Sequence, residues 1–211
     1  TGFLAQARQQ GAAVFSMLRT QPFLRPFNWK RGTSLFDGVF HWRDVQAMKP
    51  EERLARMKDA AKRAELRSGL DNPNKDPDKG STLPPPAMTS LFIDRSKTNP
   101  AAEGKSVAQL AKERGVHAAD VICDLAVADG LETQFLWNRE STAWSEANGE
   151  SQRNPHMIMG TGDGGAHADR DDGAEWSTCY LRPWLVDPEF FTLEEGVRRI
   201  THHPAMVCGI P

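Results

Sequence analysis

The chain has 211 residues, 39% hydrophobic and 26% charged, which is enough to bury a core in one or two ordinary domains. Its 26 basic and 28 acidic side chains give a formal net charge of -2 without a long run of one sign, so no electrostatic feature points to a nucleic-acid or membrane partner. Its apolar runs, such as Ala12 to Val14 and Met157 to Met159, are far too short to span a bilayer, and no charged leader precedes an apolar stretch.

Residues 3 to 10 read as the end of a helix stopped by Gly11, and the apolar run Ala12 to Leu18 reads as a buried strand. Helix, glycine, buried strand is the αβ half of a repeating α/β fold. Residues 19 to 49 read as irregular and aromatic-rich, with Phe23, Phe27, Trp29, Phe36, Phe40 and Trp42, and with Pro22 and Pro26 against a continuous helix. Such a stretch packs as a loop under a surface helix or lines a substrate pocket, and the packed loop is the simpler expectation. Pro50-Glu51-Glu52 opens an amphipathic, solvated helix expected to run to about Ser68, with Leu54, Met57 and Ala61 at helical spacing.

The polar, proline-rich residues 69 to 86 read as a loop or linker inside an insertion, and Met88 to Ile93 as a short strand. A helix follows, capped by Ser106 and stopped by Gly115, then another from Ala118 to Asp129 with Val121, Ile122 and Leu125 inward and Gly130 as its stop. Thr133 to Trp137 is expected as a strand, then a polar helix, then Met157 to Met159 as a strand core. Thr192 and Glu195 form a capping-box pair, and Thr201 is placed to cap a last short helix that has Pro204 near its start. The cysteines Cys123, Cys179 and Cys208 are far apart and odd in number, so they read as packing residues in a reducing, cytoplasmic setting rather than a disulfide framework. Both ends fall mid-pattern, so the chain is expected to be a piece of a longer polypeptide, and a signal upstream stays open.

Chemistry concentrates at 160 to 172, where an apolar strand ends and Gly160-Thr161-Gly162-Asp163-Gly164-Gly165-Ala166-His167 follows, with Asp169, Arg170, Asp171 and Asp172 beyond. An acid at the carboxyl end of a strand can bind a divalent metal and take a proton from its water, and two glycines let a substrate approach closely. Spacing alone equally fits a plain turn, with a solvated acidic face behind it.

The stretch from Gly160 to His167 resembles the Ser-Asp-Gly-Gly-Ala-His motif of the amidohydrolase superfamily, in the branch of the N-acyl-D-amino-acid deacylases. Phe191 to Thr201 and Pro204 to Ile210 are similar to that branch's final helix pair, and Gly104 to Ala108 and Gly130 to Thr133 match its style. The resemblance implies an α/β fold, the C-terminal portion of a TIM-like (β/α)8 metal-dependent hydrolase barrel. Residues 1–211 would be part of the catalytic domain, with insertion and loops at about 20–130 and the last barrel strand and final helices at 155–211. It implies hydrolysis of a carbon–nitrogen bond in a small N-acyl substrate, with Asp163 as metal ligand and general base and acid, and a divalent metal, zinc, as cofactor. Gly164, Gly165, His167 and Arg170 are the candidate substrate-binding residues.

Two departures stand out. The family's His-x-His pair has no counterpart; six histidines occur without ligand spacing, so the remaining ligands are expected in a missing N-terminal half, and this piece alone is expected to be inactive. Where D-aminoacylases carry an arginine before a tryptophan to hold the substrate carboxylate, this chain has Glu175 before Trp176, and Arg170 is the nearby substitute. A non-catalytic α/β ligand- or partner-binding module and a cyclic-amide hydrolase of the same superfamily remain open, as does homo-oligomerisation.

Overall fold

A computed structural model of the chain describes residues 2–20, 24–72, 85–138, 142–162, 174–186 and 190–210. In chain order the elements are α1 (Gly2–Gln9), β1 (Ser16–Leu18), β2 (Leu24–Phe27), α2 (Trp42–Ala47), α3 (Pro50–Lys58), α4 (Ala60–Asp71), β3 (Leu91–Arg95) and α5 (Val107–Arg114). Then follow α6 (Ala118–Ala128), β4 (Gln134–Asn138), α7 (Thr142–Arg153), β5 (Met157–Met159), α8 (Trp176–Val186), α9 (Leu193–Ile200) and α10 (His202–Val207). This is a mixed α/β chain with many helices and few strands. It divides into two compact units, residues 25–138 and residues 1–24 with 139–211.

In the unit of residues 25–138, a three-stranded sheet has the order β2-β4-β3, with β3 and β4 antiparallel and Leu91 opposite Trp137. The aromatic stretch is not irregular throughout. It contains β2 and α2, and its buried rings Phe27, Trp29, Phe36 and Trp42 pack at centroid distances of 5.1 to 6.2 Å. Phe27 stacks on Phe135 of β4, and the indole N–H of Trp42 donates to the carbonyl of Leu66 at 2.9 Å. Phe40 stays exposed and Phe23 lies outside the described residues.

The helix expected from Pro50 to Ser68 is two helices. The Asp59 carboxylate accepts from the backbone N–H groups of Ala61 and Lys62, so it caps a new start and α4 continues to Asp71. Nor is α3 solvated all round. Arg53 is only 4% exposed and donates to the carbonyls of Trp29, Val45, Gln46 and Met48, which gathers the end of α2 around one guanidinium. The helices α5 and α6 form as expected, with the Ser106 hydroxyl accepting from Gln109 N–H and Gly115 and Gly130 at φ 64 and 60. Cys123 is buried in α6, and burial pushes its thiol up to about 12, as suits a packing residue. The strand expected at 88–93 begins later, at Leu91.

In the other unit, β1 and β5 pair in parallel. The strand expected over Ala12 to Leu18 shrinks to three residues, and Met17 is 64% exposed, so it is not buried on both faces. Among the described residues no further strand joins this pair. Met159, Tyr180 and Phe191 form the core, with Leu18, Met157 and Ile200 against it, and the Tyr180 hydroxyl donates to the carbonyl of Gly196 at 3.0 Å. α8 has no counterpart among the elements expected from the sequence. Thr192 caps α9 by accepting from Glu195 N–H, while the Glu195 carboxylate accepts from Arg198 and Arg199. The Thr201 hydroxyl caps nothing; it donates back to the carbonyl of Val197 at 2.7 Å. No helix among the described residues is long and apolar enough to cross a membrane.

Candidate functional site

Because β1 and β5 run parallel, with Ser16 opposite Met157 and Leu18 opposite Met159, their carboxyl ends lie side by side. That edge is where α/β folds gather reactive groups on loops. Arg19 and Thr20 leave β1 there; Gly160, Thr161 and Gly162 leave β5 and lead to Asp163. Gly160 N–H donates to the carbonyl of Leu18 at 3.2 Å and extends the ladder by one bond. Its φ of 118 is a conformation side chains rarely adopt, and an added Cβ would stand 2.9 Å from the ring of Trp176.

Several distant segments converge on this edge. The Thr20 hydroxyl donates to the carbonyl of Trp176 at 3.0 Å, which ties the exit of β1 to the start of α8. From α7, the Asn148 amide donates to the carbonyl of Arg19 at 2.8 Å, and Gln152 donates to the Asn148 side-chain oxygen at 2.6 Å. Asn148 and Gln152 are both buried. Together these bonds fix the exit of β1 against α7 and the start of α8. Neither Thr20 nor Asn148 belongs to a recognisable motif, because both act through main-chain carbonyls.

Asp163, Gly164, Gly165, His167 and Arg170 lie outside the described residues. Glu175 directly precedes α8, and its carbonyl accepts from Cys179 N–H at 2.9 Å. Among the described residues no group of three or more His, Cys, Asp or Glu side chains could hold a metal. The described histidines have other places. His156 precedes β5, at the opposite end of the strand from Gly160, with Arg8 Nη1 2.9 Å from its Nδ1. His203 is buried in α10 beside Phe15, and burial, then the Arg198 and Arg199 cations, pushes its pKa down. His117 caps α6, its Nδ1 accepting from Ala119 N–H. A divalent metal therefore does not fit the described donor set by itself.

No family model matches the chain, and no curated protein sequence matches it. Among solved structures it is similar to an N-acyl-D-glutamate deacylase from Bordetella bronchiseptica, complexed with zinc and a phosphonate inhibitor that mimics the tetrahedral intermediate. The TM-score is 0.41 and the identity 16%, over 99% of this chain and 31% of that one. The chain thus spans about a third of that protein's length, and a likeness this distant carries no argument about chemistry.

Proposed function

We propose that the chain is part of a metal-dependent amidohydrolase acting on a non-peptide amide, an N-acyl-D-amino acid or a related N-acyl compound. The observation that supports this reading is positional. In the sequence Asp163 comes four residues after Met159, the last residue of β5, within the Gly160 to His167 motif. In this reading Asp163 takes the proton of the attacking water as the carbonyl carbon becomes tetrahedral. It returns that proton to the nitrogen as the carbon–nitrogen bond breaks. Gly164 and Gly165 keep the approach open, His167 orients the substrate, and Arg170 holds a carboxylate that Glu175 would otherwise repel.

A divalent metal, zinc, would take Asp163 as one ligand, and its other ligands would stand on further strands of a TIM-like barrel to which β5 belongs. Since catalytic zinc sites usually use about three protein ligands, residues 1–211 alone would be inactive. The test is Asp163→Asn in the longest natural form of the protein, metal-replete, assayed on N-acyl-D-amino acids. The expected loss is roughly 10²–10⁴-fold, mainly in kcat, with little change in stability. His167→Ala should lose less, partly in KM. Near-wild-type kcat for Asp163→Asn would end the assignment, and binding without turnover in the unmodified protein would support a non-catalytic module.

A further inference from the structure

The unit of residues 25–138 holds a cavity of about 440 Å³ on the side of the sheet where β3 ends. That is within the size of small-molecule sites, roughly 300–1,000 Å³. Four cations line it: Lys30 and Arg31 from the turn after β2, Arg95 at the end of β3, and Lys97 just beyond. Glu132 is the acid in the wall, and its carboxylate accepts from Lys30 at 2.7 Å and from Lys97 at 2.6 Å. Those bonds hold Glu132 down to about 2, so it is ionised. One carboxylate still leaves an excess of positive charge. Each ammonium has three donors and gives one to Glu132. Among the described residues the Arg31 and Arg95 guanidinium groups have no hydrogen-bond or ion-pair partner.

The wall is built rather than incidental. Asn28 is buried and its side-chain oxygen accepts from Arg31 N–H at 2.9 Å, which sets the turn carrying Lys30 and Arg31. Lys30 N–H donates to the carbonyl of Leu131, a buried non-glycine residue held at φ 71. Strain of that kind persists only where the surroundings impose it, and here it sets Glu132 between two lysines. Lys97 is fixed by Asp129, whose carboxylate accepts from Ser96 Oγ, Lys97 N–H, Thr98 N–H and Thr133 Oγ1 at 2.7 to 3.1 Å. Burial acts to raise the Asp129 pKa, but the hydrogen bonds from Thr98, Thr133 and Ser96 outweigh it and hold it at about 2.

We propose that this cavity is an oxyanion site that takes the phosphoryl group of a small phosphorylated molecule. Clustered cations repel one another until an anion joins them. Two guanidinium forks and two ammoniums offer more donors than a single carboxylate can accept, whereas a phosphoryl group presents three charged oxygens and about two negative charges. The rest of the cavity leaves room for the organic part.

The test is amide NMR of the 211-residue chain titrated with inorganic phosphate at constant ionic strength. Saturable shifts are expected at residues 28–32, 95–98 and 131–134. The double variant Arg31→Gln/Arg95→Gln, in two exposed residues, should weaken phosphate binding by at least about tenfold through loss of charge-assisted bonds. The pair Lys112→Gln/Arg114→Gln on α5 removes the same net charge away from the cavity and should leave the Kd unchanged. Unsaturable shifts spread over all basic residues, equal weakening by the α5 pair, or tighter binding of the dianion malonate than of phosphate would each overturn the proposal.

Discussion

Replacing Arg53 with methionine removes a buried cation but keeps most of its aliphatic bulk. The guanidinium donates to five main-chain carbonyls and among the described residues makes no ion pair, so the side chain serves as a cap for the end of α2. The bonds to Gln46 and Met48 are part-buried, and water can replace them. Those to Val45 and Trp29 are buried; the Val45 carbonyl keeps the Met48 N–H at 3.3 Å, so Trp29 is left as the stranded acceptor. An unsatisfied buried acceptor costs about 1–3 kcal/mol. The weakened bonds to Val45, Gln46 and Met48 add to this and relief of the cation's own desolvation offsets part of it, so the expected loss is about 2 kcal/mol. Urea unfolding followed by tryptophan emission reads it, since Trp29 and Trp42 lie in the same core. Arg53→Lys should recover only part, because one ammonium cannot span the fork. A loss for Arg53→Met below about 1 kcal/mol would refute the capping argument.

Gly160→Ala should destabilise the unit containing β5 by about 1–3 kcal/mol from backbone strain, with the shift of Trp176 in addition; unchanged unfolding in urea would show that φ there relaxes freely. Asp129 links stability to pH. Its folded pKa of about 2 lies below the usual aspartate value near 3.9, so the stabilisation is present above the unfolded value and lost as pH falls toward 2. The effect is on the order of 2 kcal/mol for a carboxylate 9% exposed, and Asp129→Asn should flatten the acid limb of a denaturation series between about pH 4 and 2. An acid limb as steep as wild type would refute it.

Local signals were legible and long-range ones were not. Ser106, Gly115, Gly130 and Thr192 act on neighbours one turn away, so their caps and stops could be read directly. Pro26 looked like a breaker, yet β2 is an edge strand of the order β2-β4-β3, and an edge tolerates a residue that cannot donate to a ladder. Asp59 sat among good helix formers, and only its captured N–H groups reveal the break between α3 and α4. Arg53 falls in a helix expected to be amphipathic and solvated, and its acceptors lie on other segments. The Gly160 to His167 motif was visible as a string of residues, while the bonds at the carboxyl end of β1 join Thr20 to Trp176 and Arg19 to Asn148 across more than half the chain.

The parallel register of Ser16 with Met157 also constrains how the chain can fold. During synthesis β1 emerges long before its only described partner strand exists, and its few residues cannot hold a shape alone. Bringing the two strands together closes a very long loop, whose entropic cost rises with the logarithm of its flexible length. Residues 25–138 form a compact unit of their own inside that loop. If it condenses first, most of the intervening length is no longer flexible, and the late, high-contact-order step becomes the joining of short tethers. A slow refolding phase reported by Trp176, following a faster one reported by Trp29 and Trp42, is the kinetic signature this order predicts.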